Sequence, residues 1–210
     1  MFKCTGLGSI DLFEKVSSVQ SLSQEDEESY ERFVARVVEL CKRSYELNVR
    51  LFIDAEESWI QNAIDELCYQ MMESYNKERA IVFNTIQLYR KERLDHMERS
   101  LERARHKGYY MGYKLVRGAY MEKETDRALE LNYPNPIQDS KEDSDKDFNL
   151  AVKWCIENRN VVSLCAGTHN EESCQLMADL MVKEEIDPKD QRFWFAQLYG
   201  MSDHISYNLV

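Results

Sequence analysis

The sequence has little glycine, little proline and no excess of positive charge. With 7 glycines and 3 prolines in 210 residues, it is unlike collagen-like and disordered chains. Lys and Arg number 27 against 38 Asp and Glu, a net charge of −11. Because such an acidic surface repels phosphate backbones, we expect no nucleic-acid partner. No apolar run is long enough to cross a bilayer, and the first residues lack a signal-peptide pattern, so we expect no integral membrane segment.

The six cysteines lack the spacing of metal or redox motifs. None forms a CxxC pair, and most lie among apolar residues, so we interpret them as reduced core thiols in a cytosol-like compartment. Apolar residues make up 43% of the chain, which is enough for a sizeable core. The length and the absence of a linker favour one domain over residues 1–210.

What the sequence does have is an alternation of two hydrophobic periods. Short apolar or β-branched runs predict strands at 1–4, 49–53, 80–85, 112–116, 161–166 and 193–196. Apolar stripes with helical spacing predict helices around 30–41, 60–75, 94–104, 148–155 and 174–181, with a last helix near residue 202. Polar stretches at 17–28 and 132–146 are predicted to be loops. Repeated βα units predict a parallel sheet covered by helices.

Local signals predict where two of these helices begin and end. Gly108 follows the third stripe and is predicted to stop that helix. Asn170 precedes two glutamates, and Thr168 has capping-box spacing to Glu171, so a helix should start there.

Two architectures use repeated βα units, the open doubly wound sheet and the (βα)8 barrel. The G-x-G-x-x-G pattern of dinucleotide folds begins at Gly6 and Gly8 but has Asp11 in its third position, and the Walker pattern is absent. A barrel of this type has eight strands and about 250 residues. With about six βα units predicted, a barrel here would be incomplete.

Polar side chains lie at the carboxyl end of every predicted strand, where parallel α/β proteins place their active sites. They are Lys3, Asp54, Asn84 with Gln87, Lys114 with Arg117, His169, and Gln197. We expect these groups to converge on one pocket. Taken singly, Lys3 could lie at a frayed terminus and Asp54 could cap the next helix. Cationic and amide groups together suit an anionic ligand, either a phosphate-bearing cofactor or a carboxylate substrate.

Other chemistries find little support in the residues. No Gly-x-Ser-x-Gly nucleophile elbow occurs. Of four histidines only His169 is at a strand end, while His96 and His106 are interpreted as solvated on a charged helix face. We therefore predict no metal site.

Five sequence blocks closely resemble those of the proline dehydrogenase family, the flavoenzymes that open proline catabolism. They are the DAEE of residues 54–57, FNTIQ of 83–87, KLVRGAY of 114–120, GTHN of 167–170 and QLYGM of 197–201. The blocks follow the family's order on successive predicted strands and cover essentially the whole chain. The seven-residue KLVRGAY block is the most specific of the five.

The resemblance implies a fold, a cofactor and a reaction. The family has a distorted (βα)8 TIM-type barrel that binds FAD non-covalently. It oxidises L-proline to Δ1-pyrroline-5-carboxylate by hydride transfer to flavin N5 and passes the electrons to a membrane quinone. The chain would thus be peripheral to the inner membrane in the cytoplasm of a bacterium, or mitochondrial in a eukaryote.

The resemblance also implies roles for individual residues. Catalytic roles fall to Lys114, beside flavin N5, and to Asp54, in the substrate-side network. The flavin would be bound by Gln87, Lys114, Val116, Arg117, Gly118, Thr168 and His169. The substrate would be bound by Lys3, through the proline carboxylate, and by Ala119, Tyr120 and Leu198 around the ring. Competing interpretations are barrel packing for Tyr120 and Leu198, a surface ion pair for Arg117 and a helix cap for His169.

The sequence departs from the family in two ways. Many members have arginine at Lys114, and lysine keeps the charge without the planar fork. The family's later tyrosine-bearing strand, its arginine-bearing helix and its N-terminal arm have no counterpart in residues 1–210. We therefore expect a partial barrel that by itself binds FAD weakly and turns over poorly. The alternatives are a non-catalytic binding or assembly fragment and a barrel enzyme for a phosphorylated metabolite.

Overall fold

The computed structural model describes residues 1–209, which form one parallel sheet and its flanking helices. The strands are β1 Phe2–Lys3, β2 Leu51–Asp54, β3 Val82–Gln87, β4 Met111–Val116, β5 Val162–Gly167 and β6 Phe193–Ala196. The helices are α1 Ile10–Ser17, α2 Gln24–Glu46, α3 Ser58–Tyr75, α4 Arg93–Lys107, α5 Met121–Leu131, α6 Lys141–Glu157, α7 Glu171–Lys183 and α8 Asp203–Asn208. The strands pair in parallel in the order of the chain. This confirms the six predicted strands and the parallel sheet.

The sheet is strongly curled. Nη2 of Arg50, just before β2, donates to the Gln191 carbonyl just before β6 over 2.9 Å, and the Arg50 guanidinium lies 4.7 Å from the Trp194 ring centre. In a flat sheet these strands would be four spacings of about 4.8 Å apart, or roughly 19 Å. The curvature brings β6 back towards β2 and confirms a barrel-type fold that is incomplete over these residues.

The core lies between the convex face of the sheet and the helices. Side chains from successive strands, such as Ile53, Ile86, Leu115 and Leu164, are fully buried there against helical residues. All six cysteines are buried and free of disulfides, as predicted. Within residues 1–209, no helix combines the length and apolarity that a bilayer crossing requires.

The structure corrects the two predicted loops. α1 lies just before the first of them, and α2 begins at residue 24, where Ser23 and Asp26 form a reciprocal capping box. The second loop ends at residue 140, because Ser140 caps α6 by accepting from the Asp143 amide over 3.0 Å. Acidic residues read as a solvated loop therefore occupy the first turn of α6, where they complement the helix dipole. α5 also lies in a segment without a predicted helix.

One predicted helix end and one predicted helix start are confirmed, and the capping box predicted at that start is not formed. Gly108 has a φ of +66° and ends α4. Asn170 caps α7 by accepting from the Ser173 amide over 2.9 Å. Thr168 forms no capping box with Glu171. Its hydroxyl instead accepts from the Asn170 amide and from Arg117.

Gly112 on the concave face allows β3 and β4 to pack closely. A Cβ at this position would lie 2.7 Å from Cγ of Phe83 and 2.7 Å from the Val82 carbonyl oxygen. We expect Gly112→Ala to lower the free energy of unfolding by about 1–3 kcal/mol, because a backbone atom cannot move aside. Denaturant unfolding measures this. Gly6→Ala is the matched control, since its Cβ meets nothing within 4 Å, and an equal loss in both variants would contradict the prediction.

Candidate active site

A lysine–aspartate pair occupies the concave face at the carboxyl end of the sheet. Lys114 of β4 is in register with Thr85 of β3, and its Nζ forms an ion pair with Asp54 Oδ1 of β2 across the intervening strand. Their side chains are 13% and 14% exposed. The Thr85 hydroxyl donates to the Ile53 carbonyl over 2.9 Å and lies 3.5 Å from Asp54 Oδ1. The pair thus offers a fixed, partly desolvated cation to negative charge arriving at the sheet edge.

A second cation lies beside this pair. Lys3 Nζ donates to the Tyr120 hydroxyl over 2.9 Å and is 5.4 Å from the centre of that ring. Partial burial acts to lower the Lys3 pKa, but the bond to Tyr120 and the charges of Asp54 and Glu56 outweigh it and raise the pKa. Lys3 is therefore protonated at neutral pH. Its neighbour Thr5 donates from its amide to Glu56 over 3.0 Å, which anchors this end of the chain to the β2–α3 loop.

Gln87 is held in one orientation by its neighbours. Its Nε2 donates to the Glu56 carbonyl over 2.7 Å and to the Tyr89 hydroxyl over 2.9 Å, while its Oε1 accepts from Arg90 over 3.1 Å. A guanidinium only donates and a carbonyl only accepts, so the amide cannot be flipped. Gln87 is 1% exposed. Its side chain could accept one more hydrogen bond, through the second lone pair of Oε1.

Four more of the predicted residues line a cavity of about 600 Å³. They are Arg117, Gly118, Thr168 and His169. Arg117 donates to Asp145 over 2.5 Å, to Thr168 over 2.9 Å and to Ser173 over 2.8 Å, and its guanidinium lies 4.1 Å from the Phe148 ring centre. Arg117 therefore belongs to a hydrogen-bonded network inside the protein, and the alternative interpretation as a surface ion pair does not hold.

Tyr89 connects this cavity to the lysine–aspartate side and was not identified from the sequence. It lines the cavity, accepts from Gln87, and lies 3.4 Å from the Tyr120 amide. Burial raises the pKa of Tyr89, so its hydroxyl stays protonated. Tyr89 lies in the turn after β3, beyond the reach of strand alternation, so its place in the site was not readable from the strand pattern.

The remaining predicted residues lie at the rim. Val116 is half-buried, and its Cγ1 would lie 3.2 Å from a Cβ on Gly167. Ala119 is exposed. Leu198 is 64% exposed, and its amide donates to Nε2 of His169 over 3.3 Å. Within residues 1–209, no three His, Cys, Asp or Glu side chains are grouped to hold a metal.

Asn84 does not join the site, contrary to the prediction. Its Nδ2 donates to Asp65 of α3 over 2.8 Å, on the convex face of the sheet. Side chains alternate between the faces of a strand, so Asn84 and Gln87, three residues apart, must point to opposite sides. The odd spacing of Asn84 and Gln87 is visible in the sequence, so their opposite orientations could have been predicted from it.

His96 is also not solvated, contrary to the prediction. Its Nε2 lies 2.7 Å from the Tyr69 hydroxyl and 3.4 Å from Asp65 Oδ2, and its side chain is 21% exposed. Burial, with the nearby charge of Arg93, lowers the pKa of His96 to about 4. The residue is therefore neutral in the folded protein at pH 7.

The low pKa of His96 makes stability depend on pH. The unfolded chain takes up this proton near pH 6.5 and the folded chain only near pH 4, so stability should fall between these values as acid is added. We expect His96 to account for a loss on the order of 2 kcal/mol. Urea unfolding at about pH 7 and about pH 4.5 measures it. His96→Gln should show a smaller pH effect, and equal effects in both proteins would exclude His96 as the cause.

The sequence profile of the family described as Proline dehydrogenase matches residues 6–210. The chain belongs to the proline dehydrogenase family. It is 36% identical over 196 residues to proline dehydrogenase 1, mitochondrial, of Caenorhabditis elegans, covering 91% of this chain and 32% of that relative. It is 34% identical over 190 residues to the Homo sapiens protein of the same name, and this match covers 89% of this chain and 32% of that relative. The chain therefore spans about a third of the length of these curated relatives.

The fold has a counterpart among solved structures. Proline utilization A (PutA) from Bdellovibrio bacteriovorus, inactivated by N-propargylglycine, matches with a TM-score of 0.83 and 22% identity, over 97% of this chain and 20% of that chain. At this identity the match supports the fold alone. In this proline dehydrogenase family member, the KLVRGAY block runs along β4 into the turn before α5, and the GTHN block joins β5 to α7.

Proposed function

We propose that the chain serves in the oxidation of L-proline to Δ1-pyrroline-5-carboxylate, with FAD as the hydride acceptor and a quinone as the next acceptor. The observation that carries the proposal is the Lys114–Asp54 pair inside the barrel, with the Lys3 ammonium next to it, in a chain of this family. In this reaction a hydride leaves the ring carbon next to nitrogen, a proton leaves the nitrogen, and a C=N bond forms.

The residues of the cavity fit a flavin nucleotide. Gly118 has a φ of +82° with open space where a Cβ would be, so backbone can approach a ligand closely there. Next to it are the Arg117 guanidinium and the start of α7, which both favour phosphate groups. FAD bound here would supply the hydride acceptor. We assign its binding to Gln87, Lys114, Val116, Arg117, Gly118, Thr168 and His169.

The protein's own groups bind and orient the substrate in this proposal. Lys3, protonated at neutral pH, pairs with the proline carboxylate, while Ala119, Tyr120 and Leu198 surround the ring. Lys114 provides positive charge where negative charge develops, and Asp54 fixes the position of that ammonium. A hydride transfer of this kind depends on a fixed carboxylate and an apolar environment more than on acid–base groups.

Bleaching of the flavin absorbance tests the proposal. Protein mixed with FAD should lose the oxidised-flavin band when L-proline is added without oxygen, and a dye should then be reduced. Sugar phosphates serve as the control substrates, since a barrel enzyme for a phosphorylated metabolite is the competing activity. Reduction by a sugar phosphate, or no reduction by proline in protein that binds FAD, would contradict the proposal.

The second candidate is a non-catalytic binding or assembly role. A flavin-fluorescence titration separates the two roles. We expect the 210-residue chain alone to bind FAD weakly and to turn over poorly, and tight stoichiometric binding would contradict that expectation. The eukaryotic relatives are named mitochondrial, and we propose a mitochondrial location in a eukaryote or a peripheral position at the inner membrane in a bacterium.

A further inference from the structure

Helix α3 is capped by a residue from another helix. Glu57 occupies its N-cap position without a side-chain capping bond. Instead, the Ser58 amide and the Ser58 hydroxyl each donate over 2.6 Å to the two carboxylate oxygens of Glu124, in the first turn of α5. Glu124 is 0% exposed. A helix start that lacks its own cap thus receives a buried carboxylate from a segment 66 residues away in the chain.

The hydrogen bonds to the Glu124 carboxylate come from the start of α3, and its charge also interacts with the nearby Arg90 guanidinium. The basic residues nearest to it on α5 bond elsewhere, since Lys123 pairs with Glu57 and Arg127 with Glu14. Both bonds to Glu124 come from Ser58, at the positive end of the α3 dipole, where anions are favoured. A buried carboxylate without such donors would be costly, so the contact holds both helix starts at a fixed separation.

Each of the two helix starts joined by Glu124 carries one side of the candidate site. Asp54 lies four residues before Ser58, and Tyr120 lies four residues before Glu124. Between them, these segments contain the Asp54–Lys114 pair and the Tyr120 hydroxyl that binds Lys3. Other contacts also join the two helices: Lys123 pairs with Glu57, and Arg127 of α5 lies 4.3 Å from the ring centre of Trp59 of α3. The lysine is 56% exposed, so its ion pair is weak.

We propose that Glu124 is a positioning residue: by capping α3 from α5, it fixes the β2–α3 loop against the β4–α5 loop, and so Asp54 against Lys114 and Tyr120. Its effect on turnover rests on the proposed function. Its effect on the two loops does not.

The experiment compares E124A, E124Q and S23A in the FAD-loaded protein. Glutamine can accept from the Ser58 amide and donate to its hydroxyl, so E124Q should restore what E124A loses. S23A is the matched control, because it removes the cap of α2, on a helix that carries no predicted site residue. Hydrogen–deuterium exchange should show faster exchange in E124A at residues 55–59 and 118–122, with α6 and α7 unchanged.

Kinetics give the second readout. For E124A we expect kcat/KM for proline to fall by about 10²-fold, as displaced reacting groups typically cause, with most of the loss regained in E124Q. S23A should keep wild-type kcat and KM. Unchanged exchange at both loops in E124A, or equal kinetic losses in E124A and S23A, would overturn the proposal. Absence of proline-dependent flavin reduction in the wild type, with the exchange change present, would refute the proposed function and leave the positioning role supported.

Discussion

Replacing Lys114 with methionine should lower kcat for proline-dependent flavin reduction by about 10²–10³-fold, the usual effect of removing one preorganised group that stabilises developing charge. The Lys114 side chain is 13% exposed and its ammonium is paired with Asp54, so its charge acts in a partly desolvated setting. Methionine keeps most of the stem and removes the charge. Stopped-flow measurement of flavin bleaching by proline gives the rate directly.

Two further variants separate the loss of charge from a loss of folding. Lys114→Arg keeps the charge and should retain more activity than methionine. The double change Lys114→Met with Asp54→Asn removes the unpaired carboxylate, so it should recover stability without recovering rate. If the methionine variant reduced flavin at the wild-type rate, Lys114 would have no role in stabilising charge.

The second large effect is expected in the buried network on the convex face. Replacing Asp65 with alanine should lower the free energy of unfolding by about 3–5 kcal/mol, because it leaves the Arg93 charge buried without a partner. The two side chains are 5% and 6% exposed and bond over 3.0 Å. Asn84 and Gln61 also donate to Asp65 and would lose their acceptor. Chemical denaturation with the folded state checked by circular dichroism measures the loss.

The controls use charge pairs of different burial. Asp65→Ala with Arg93→Met should cost less than Asp65→Ala alone, since no charge is then left unpaired. Arg103→Ala breaks an ion pair with Glu66 whose partners are 28% and 52% exposed, and should cost at most about 1 kcal/mol. A loss from Asp65→Ala as small as that from Arg103→Ala would show that Arg93 finds another partner or water.

Hydrophobic patterning predicted the elements that are fixed by apolar burial. All six strands lie within two residues of their predicted starts and ends, and the helices with long apolar stripes lie where they were expected. α5 was missed because its anchors are polar. Its buried residues are Glu124 and Ala128, and it contacts α3 and α1 through charged side chains. α1 is short, and its buried residues are Leu12 and Phe13, too few for a stripe.

The strand-end rule located the site but could not supply its internal contacts. Lys3, Asp54 and Lys114 do lie at one edge, as the rule predicts for parallel strands. The prediction that Asn84 joins the site was wrong, because the rule ignores the face of the sheet on which a side chain lies. The prediction that His96 is solvated was wrong, because this histidine is largely buried in a polar network with Tyr69 and Asp65.

The sequence alone determined the number, order and type of the strands, because each short apolar run can be stable only when its apolar side chains are buried. It also contained the blocks that resemble one family. Only the tertiary structure decided which polar groups meet. Asp54 and Lys114 are 60 residues apart, and Ser58 and Glu124 are 66 apart. These contacts depend on the curvature of the whole sheet, which brings non-neighbouring strands within reach of a side chain and which no local pattern encodes.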